Sequence, residues 1–129
     1  MKLLVCYDKK NKSSKAIDIA VKRAKQSNAF VYLVTSSASD ASKADILEAE
    51  NKLEYFADED FKKNGISCET HILIRGLTPG EDIVKFAKEK NVDEIILEIK
   101  KRSKLGKIVF GSTAQFVILE APCPVLTLK

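Results

Sequence analysis

The chain has no tryptophan, one histidine, three prolines and three cysteines in 129 residues, and each shortage removes a class of function. The one histidine, His71, has no acidic or nucleophilic partner near it in sequence and reads as strand surface or core, not as a catalytic base. Cys6, Cys68 and Cys123 include no pair at metal-ligand spacing and read as reduced thiols on or beside strands. Cys123 lies between two prolines, and no base is identifiable for it. A nucleophile elbow, a P-loop lysine motif and a metal cluster are all missing, so an enzyme is not expected. No apolar run approaches bilayer length, which argues against a membrane protein. The opening MKLLVCYDKK offers only Leu3 to Tyr7 before Asp8 and reads as a strand, not an export signal. A cytoplasmic location is the expectation. Repeats, low-complexity tracts and Pro/Gly/Ser linkers are also missing, so residues 1–129 read as a single domain.

What is present is an uneven charge. The net charge is +4. Lys100, Lys101, Arg102, Lys104 and Lys107 fall in a stretch with no acid, and Lys9, Lys10, Lys12 and Lys15 follow directly on Asp8. Without those nine cations the chain stands at −5. Positive charge is therefore local to two segments. Neither contains an aromatic side chain on which a base could stack, so nucleic acid is not the expected partner.

Periodicity gives the rest of the plan. Residues 2–7, 29–35, 68–74, 93–98 and 125–128 are apolar or β-branched runs of strand length. Between them lie helical patterns. Ala16, Ile17, Ala20, Val21 and Ala24 recur through about Gln26, at helical spacing. A longer stripe over 41–63 runs through Ile46, Ala49, Leu53, Phe56, Ala57 and Phe61 to Gly65. Thr78, Pro79 and Glu81 form a capping box for a third helix, which Asn91 closes. Ser112 and Gln115 read as a second box, opening a short helix that ends near Leu119 before Pro122 and Pro124. Alternation βαβαβαβαβ with continuous apolar strands implies an α/β fold, a five-stranded parallel sheet with helices on both faces.

Four segments together resemble the universal stress proteins. They are the first strand ending in Asp8 with Ser13 and Ala16 at the family's spacing, the turn at Gly76, VDEIIL at 92–97, and RSKLGKIVFGS at 102–112 with APCPVL at 121–126. The resemblance implies strand order 3-2-1-4-5, the adenine nucleotide alpha-hydrolase-like arrangement, with the loops after strands one and four side by side. It also implies a homodimer joined antiparallel through Val125–Leu128, an edge that would otherwise be an aggregation hazard.

In the nucleotide-binding branch of that family, ATP (with Mg) lies across the junction, on a G-x-x-G-x9-G-[ST] pattern. Only Gly111 and Ser112 of it survive here; Glu98 and Lys101 stand where the first two glycines would be, and Lys9-Lys10 replace the usual Gly-Ser after the aspartate. Side chains at those places prevent the close backbone approach that glycine allows. Lysines still bind phosphate as point charges, and a helix N-terminus favours anions. The candidate nucleotide or anion set is therefore Asp8, Lys9, Thr35, Glu98, Lys100, Lys101, Arg102, Gly111, Ser112 and Thr113. The expected function is a stress-response or signalling module with weak or altered adenine-nucleotide binding. The alternative is a dimeric interaction protein of the same fold that binds no nucleotide.

Overall fold

Three consecutive buried residues, Leu3, Leu4 and Val5, fix the centre of the molecule. They form β1 (Lys2–Cys6), which is paired on one side with β2 (Phe30–Ser36) and on the other with β4 (Glu94–Glu98). A strand with partners on both edges and helices on both faces has no wet side, hence the unbroken apolar run. The computed structural model describes residues 1–8, 15–74, 76–99 and 111–129. With β3 (Cys68–Leu73) and β5 (Val125–Leu128) the sheet has order β3-β2-β1-β4-β5, all parallel.

Side-chain alternation divides the core in two. Leu3, Val5, Val31, Leu33 and Ile96 face α1 (Lys15–Ser27), whose Ala16, Ile17, Ala20 and Ala24 lie flat on the sheet. Leu4, Tyr32, Val34, Ile95 and Leu97 face α3 (Pro79–Glu89) and α4 (Ser112–Glu120). The first face is completed by α2 (Lys43–Phe56), capped by the Ser42 hydroxyl, which accepts from the Asp45 amide at 3.1 Å.

Two local expectations are corrected. The helix expected over 41–63 is not one α-helix: after Phe56 it makes a π turn (Ala57–Phe61) and a 3-10 turn (Lys62–Asn64), ending at Gly65 with φ +73°. Leu53, Ala57 and Phe61 are four apart, so each overshoots an α turn by about 40°. The wider π turn takes that rotation back and keeps all three buried. The second capping box does not form. Gly111, at φ −67° and ψ 162°, is the N-cap of α4 with no side-chain hydrogen bond, Ser112 is already helical, and the Gln115 amide goes to the Gly111 carbonyl at 3.1 Å. Extended backbone at Gly111 starts the helix one residue early, so the Ser112 hydroxyl is not needed as a cap.

The first box forms in a variant way. The Thr78 hydroxyl accepts from the Glu81 amide at 3.3 Å and donates to its carboxylate at 2.6 Å. Asn91 closes α3 in the left-handed region at φ 52°, as its place in the sequence predicts, and Asn28 does the same for α1 at φ 51°.

Candidate functional site

Parallel pairing brings all five carboxyl ends to one edge. Cys6 is level with Leu97, so Asp8, two residues on, stands beside the end of β4. The Tyr7 amide reaches the Val34 carbonyl at 2.8 Å, extending β1 along β2 to the last residue before Asp8. On the far side Glu98 is level with Leu128, and the Ile99 amide donates to the Leu128 carbonyl at 2.6 Å. The adjacency on which the candidate site depends, strand one against strand four, is present.

Asp8 is exposed at this edge, while Glu98 is half-buried. Alternation settles where Glu98 belongs: it follows Ile96 onto the face covered by α1, shared with Leu128. The helix α4 packs on the opposite face through Ala114 and Val117. The carboxylate that replaces a glycine is thus set on the other face from the α4 N-terminus, where it does not oppose an anion directly.

At that N-terminus the amides of Ser112, Thr113 and Ala114 precede the first intrahelical hydrogen bond, which the Gln115 amide makes. The Ser112 side chain is exposed and Thr113 half-exposed. No described atom lies within 4 Å of where a Cβ on Gly111 would stand. Its φ is open to any residue, so neither space nor backbone in the described fold demands glycine there. Lys9, Lys100, Lys101 and Arg102, with Lys10, Lys12, Lys104 and Lys107, lie outside the described residues. Lys15 opens α1, and its ammonium donates to the Lys129 carbonyl at 2.9 Å.

Thr35, one residue short of the end of β2, is buried and faces α2, not open solvent. With Tyr7 it lines a cleft of ≈ 160 Å³ beneath that helix, closed on the other side by Asp45, Glu48, Ala49 and Lys52. Sequence reasoning found Thr35 but not its companions, because α2 lies remote in the chain. A second hollow of ≈ 350 Å³ lies at the opposite end of the sheet, around Asn28, Phe30, Gly65 and Ser67.

The remaining reactive groups are quiet. Burial pushes the Cys6 and Cys68 thiols up to about 12, and Cys123 is raised by burial and then by Asp93 and Glu94, so none is a ready nucleophile. His71 does have an acidic partner: its Nε2 lies 2.6 Å from Glu69 Oε1, and its ring packs 4.9 Å from that of Phe86. Residues two apart on a strand share a face, a signal that was present in the sequence. The pair sits on edge strand β3, away from the β1/β4 junction. Among the described residues no three His, Cys, Asp or Glu side chains gather as a metal site, and no helix is long and apolar enough to cross a membrane.

Comparison with known proteins places this geometry. A family model described as the universal stress protein family matches residues 1–129. A universal stress protein structure from Archaeoglobus fulgidus is 36% identical, covering 100% of this chain and 98% of that one at a TM-score of 0.87. Another structure from the same organism, solved in complex with dAMP, is 32% identical with a TM-score of 0.83 and covers 100% and 98%. A universal stress protein of Methanocaldococcus jannaschii is 38% identical over 65 residues, which is 50% of this chain but only 37% of that protein. One from Thermus aquaticus is matched over 47% of its length, so the aligned stretch spans less than half of either curated relative.

Proposed function

This chain belongs to the universal stress protein family, and we propose that it is a stress-response or signalling module that binds an adenine nucleotide weakly at the carboxyl edge of its sheet. The observation that carries the reading is the junction itself: Asp8 stands beside the end of β4, and the first-turn amides of α4 make no intrahelical hydrogen bond. The dAMP complex of a relative 32% identical over the full chain supports it. Asp8 supplies an acceptor for a ribose hydroxyl or a base amine. The amides of Ser112 and Thr113 donate to a phosphate, which the helix dipole favours. Among the described residues nothing crowds Gly111, which suits close approach by such a group. Lys9, Lys100, Lys101 and Arg102 take over, as point charges, the role that glycine amides play in the family's pattern. A triphosphate would bring Mg with it, bound through its own oxygens. The protein works in the cytoplasm, by binding and without turnover.

A homodimer through β5 completes the reading. β5 is the sheet's edge, its four residues are all partly exposed, and beside it α4 presents Phe116, Ile118 and Leu119 to solvent. Those apolar residues, with Glu98 and Lys101 in glycine positions, favour the second reading as well: an interaction protein that has dropped its nucleotide.

Calorimetric titration with AMP, dAMP and ATP separates the two. We expect dissociation constants between about micromolar and millimolar, corresponding to about 8 and 4 kcal/mol. Asp8→Ala abolishes binding, and Lys101→Ala with Arg102→Ala weakens it and flattens its salt dependence. No heat with any of the three leaves the second reading.

A further inference from the structure

Of the chain's five asparagines only Asn64 precedes a glycine; the others precede lysine, alanine or valine. Asparagine is a thermolabile residue. Glycine has no Cβ, so nothing on Gly65 shields its backbone nitrogen from the side chain before it. Both residues are exposed, and no described atom lies within 4 Å of where a Cβ on Gly65 would stand. They line the ≈ 350 Å³ hollow at the amino end of the sheet, which gives water access to both.

Local structure sets how fast the two groups can meet. The Asn64 Nδ2 donates to the Asp60 carbonyl at 2.7 Å, and the Gly65 amide donates to the Lys62 carbonyl at 3.0 Å. Those bonds engage both reacting groups while the turn is closed. The turn is a three-residue 3-10 helix (Lys62–Asn64) with no buried residue. Such terminal turns have poor hydrogen-bond geometry and open locally at little cost. The other described asparagines lack this setting: Asn51 lies in the middle of α2, and Asn28 and Asn91 precede the buried Ala29 and Val92.

We propose that Asn64 is a site of spontaneous deamidation, with Gly65 as the attacking residue. When the turn opens, the Gly65 nitrogen bonds to Asn64 Cγ, and Nδ2 takes up the displaced proton and leaves as ammonia. Water then opens the resulting cyclic imide at either carbonyl. Breaking the new N–Cγ bond leaves aspartate. Breaking the original peptide bond leaves isoaspartate, with the main chain rerouted through Cβ and Cγ. In sum a water is consumed and an ammonia released, with no oxidant or cofactor.

The consequence falls on the helix end. Either product adds a carboxylate where the helix dipole already concentrates negative charge. Isoaspartate also lengthens the main chain between Phe61 and Ile66, so the Ile66 amide loses its 3.0 Å bond to the Phe61 carbonyl. Phe61 and Ile66 are both buried, which ties ageing at an exposed turn to the core under α2. None of the residues named for the nucleotide takes part.

The test is ageing of the full native chain in mildly acidic and mildly alkaline buffer. Peptide mapping by mass spectrometry, with aspartate and isoaspartate separated, reads the outcome. Conversion should appear at Asn64 with both products, run faster at the higher pH, and spare Asn28, Asn51 and Asn91. Gly65→Asn should slow it about tenfold or more. Asparagine tolerates the left-handed backbone, and the site has room for a side chain. Asn64→Gln, an exposed change, remains informative if Gly65→Asn does not fold. It should keep its thermal midpoint on ageing while wild type acquires a less stable fraction. A native chain with no conversion at Asn64 overturns the inference. So does aspartate without isoaspartate, which is direct hydrolysis, an unchanged rate in Gly65→Asn, or equal ageing of Asn64→Gln and wild type.

Discussion

Arg23 on α1 grips Glu94 at the start of β4 with both ends of its guanidinium, Nε to Oε1 at 2.5 Å and Nη2 to Oε2 at 2.7 Å. Glu94 is nearly buried while Arg23 is 40% exposed. The pair ties α1 to the strand whose far end carries Glu98, and so helps hold β4 beside β1. Removing the arginine leaves a carboxylate with little water. Arg23→Ala should therefore cost about 2 kcal/mol and lower Tm by about 7 °C. An unchanged thermal midpoint would show the contact to be idle.

Gly80, in the first turn of α3, sets how closely α4 approaches. A Cβ there would stand 2.9 Å from the Phe116 Cβ. Helix propensity alone favours alanine by about 1 kcal/mol. The contact should reverse that sign and make Gly80→Ala destabilising by about 1–2 kcal/mol. Adding Phe116→Ala should rescue little, since the nearest atom remains. Urea unfolding of the single and double variants checks both signs.

Alkaline stability should report on Cys6. Burial lifts its thiol from the ordinary 9.0 to about 12. The folded protein keeps a proton that the unfolded chain releases, so the neutral thiol's contribution is complete below pH 9 and drains away as pH rises toward 12. Cys6→Ala cannot lose that contribution. The stability gap between wild type and variant should narrow as pH rises from 9. A gap constant through that window would be incompatible with a buried neutral thiol.

The dimer prediction has a selective variant. The carbonyls of Pro124 and Leu128 point to β4, where they accept from Ile95 and Ile99. Residues of a parallel strand alternate in direction, so the Thr127 amide points out from the sheet. Thr127→Pro should remove an outward donor and leave the inner ladder whole. Light scattering should then fall from twice the chain mass to the chain mass with circular dichroism unchanged. A wild-type protein that stays monomeric at all concentrations would refute the association.

Legibility followed locality. Thr78 and Glu81 are three apart, and their capping box was readable because every group in it is near in sequence. Ser112 carried the same signal and failed, since Gly111 in an extended conformation starts α4 equally well. The π turn was hidden because the stripe of Leu53, Ala57 and Phe61 looks the same on a slightly rewound helix. Arg23 and Glu94 are 71 residues apart, and no local pattern links them.

The chain by itself determined its strands and their parallel arrangement, because continuous apolar runs separated by helical patterns and turn residues leave few ways to bury the same side chains, whereas the candidate edge at Asp8 came from the family resemblance. Strand order came from resemblance and was then realised in the paired strands. Only the tertiary structure decided which face Glu98 takes, and that Thr35 meets Tyr7 under an acidic helix. The physical reason is that facing and proximity depend on how whole layers stack, a property no window of neighbouring residues contains.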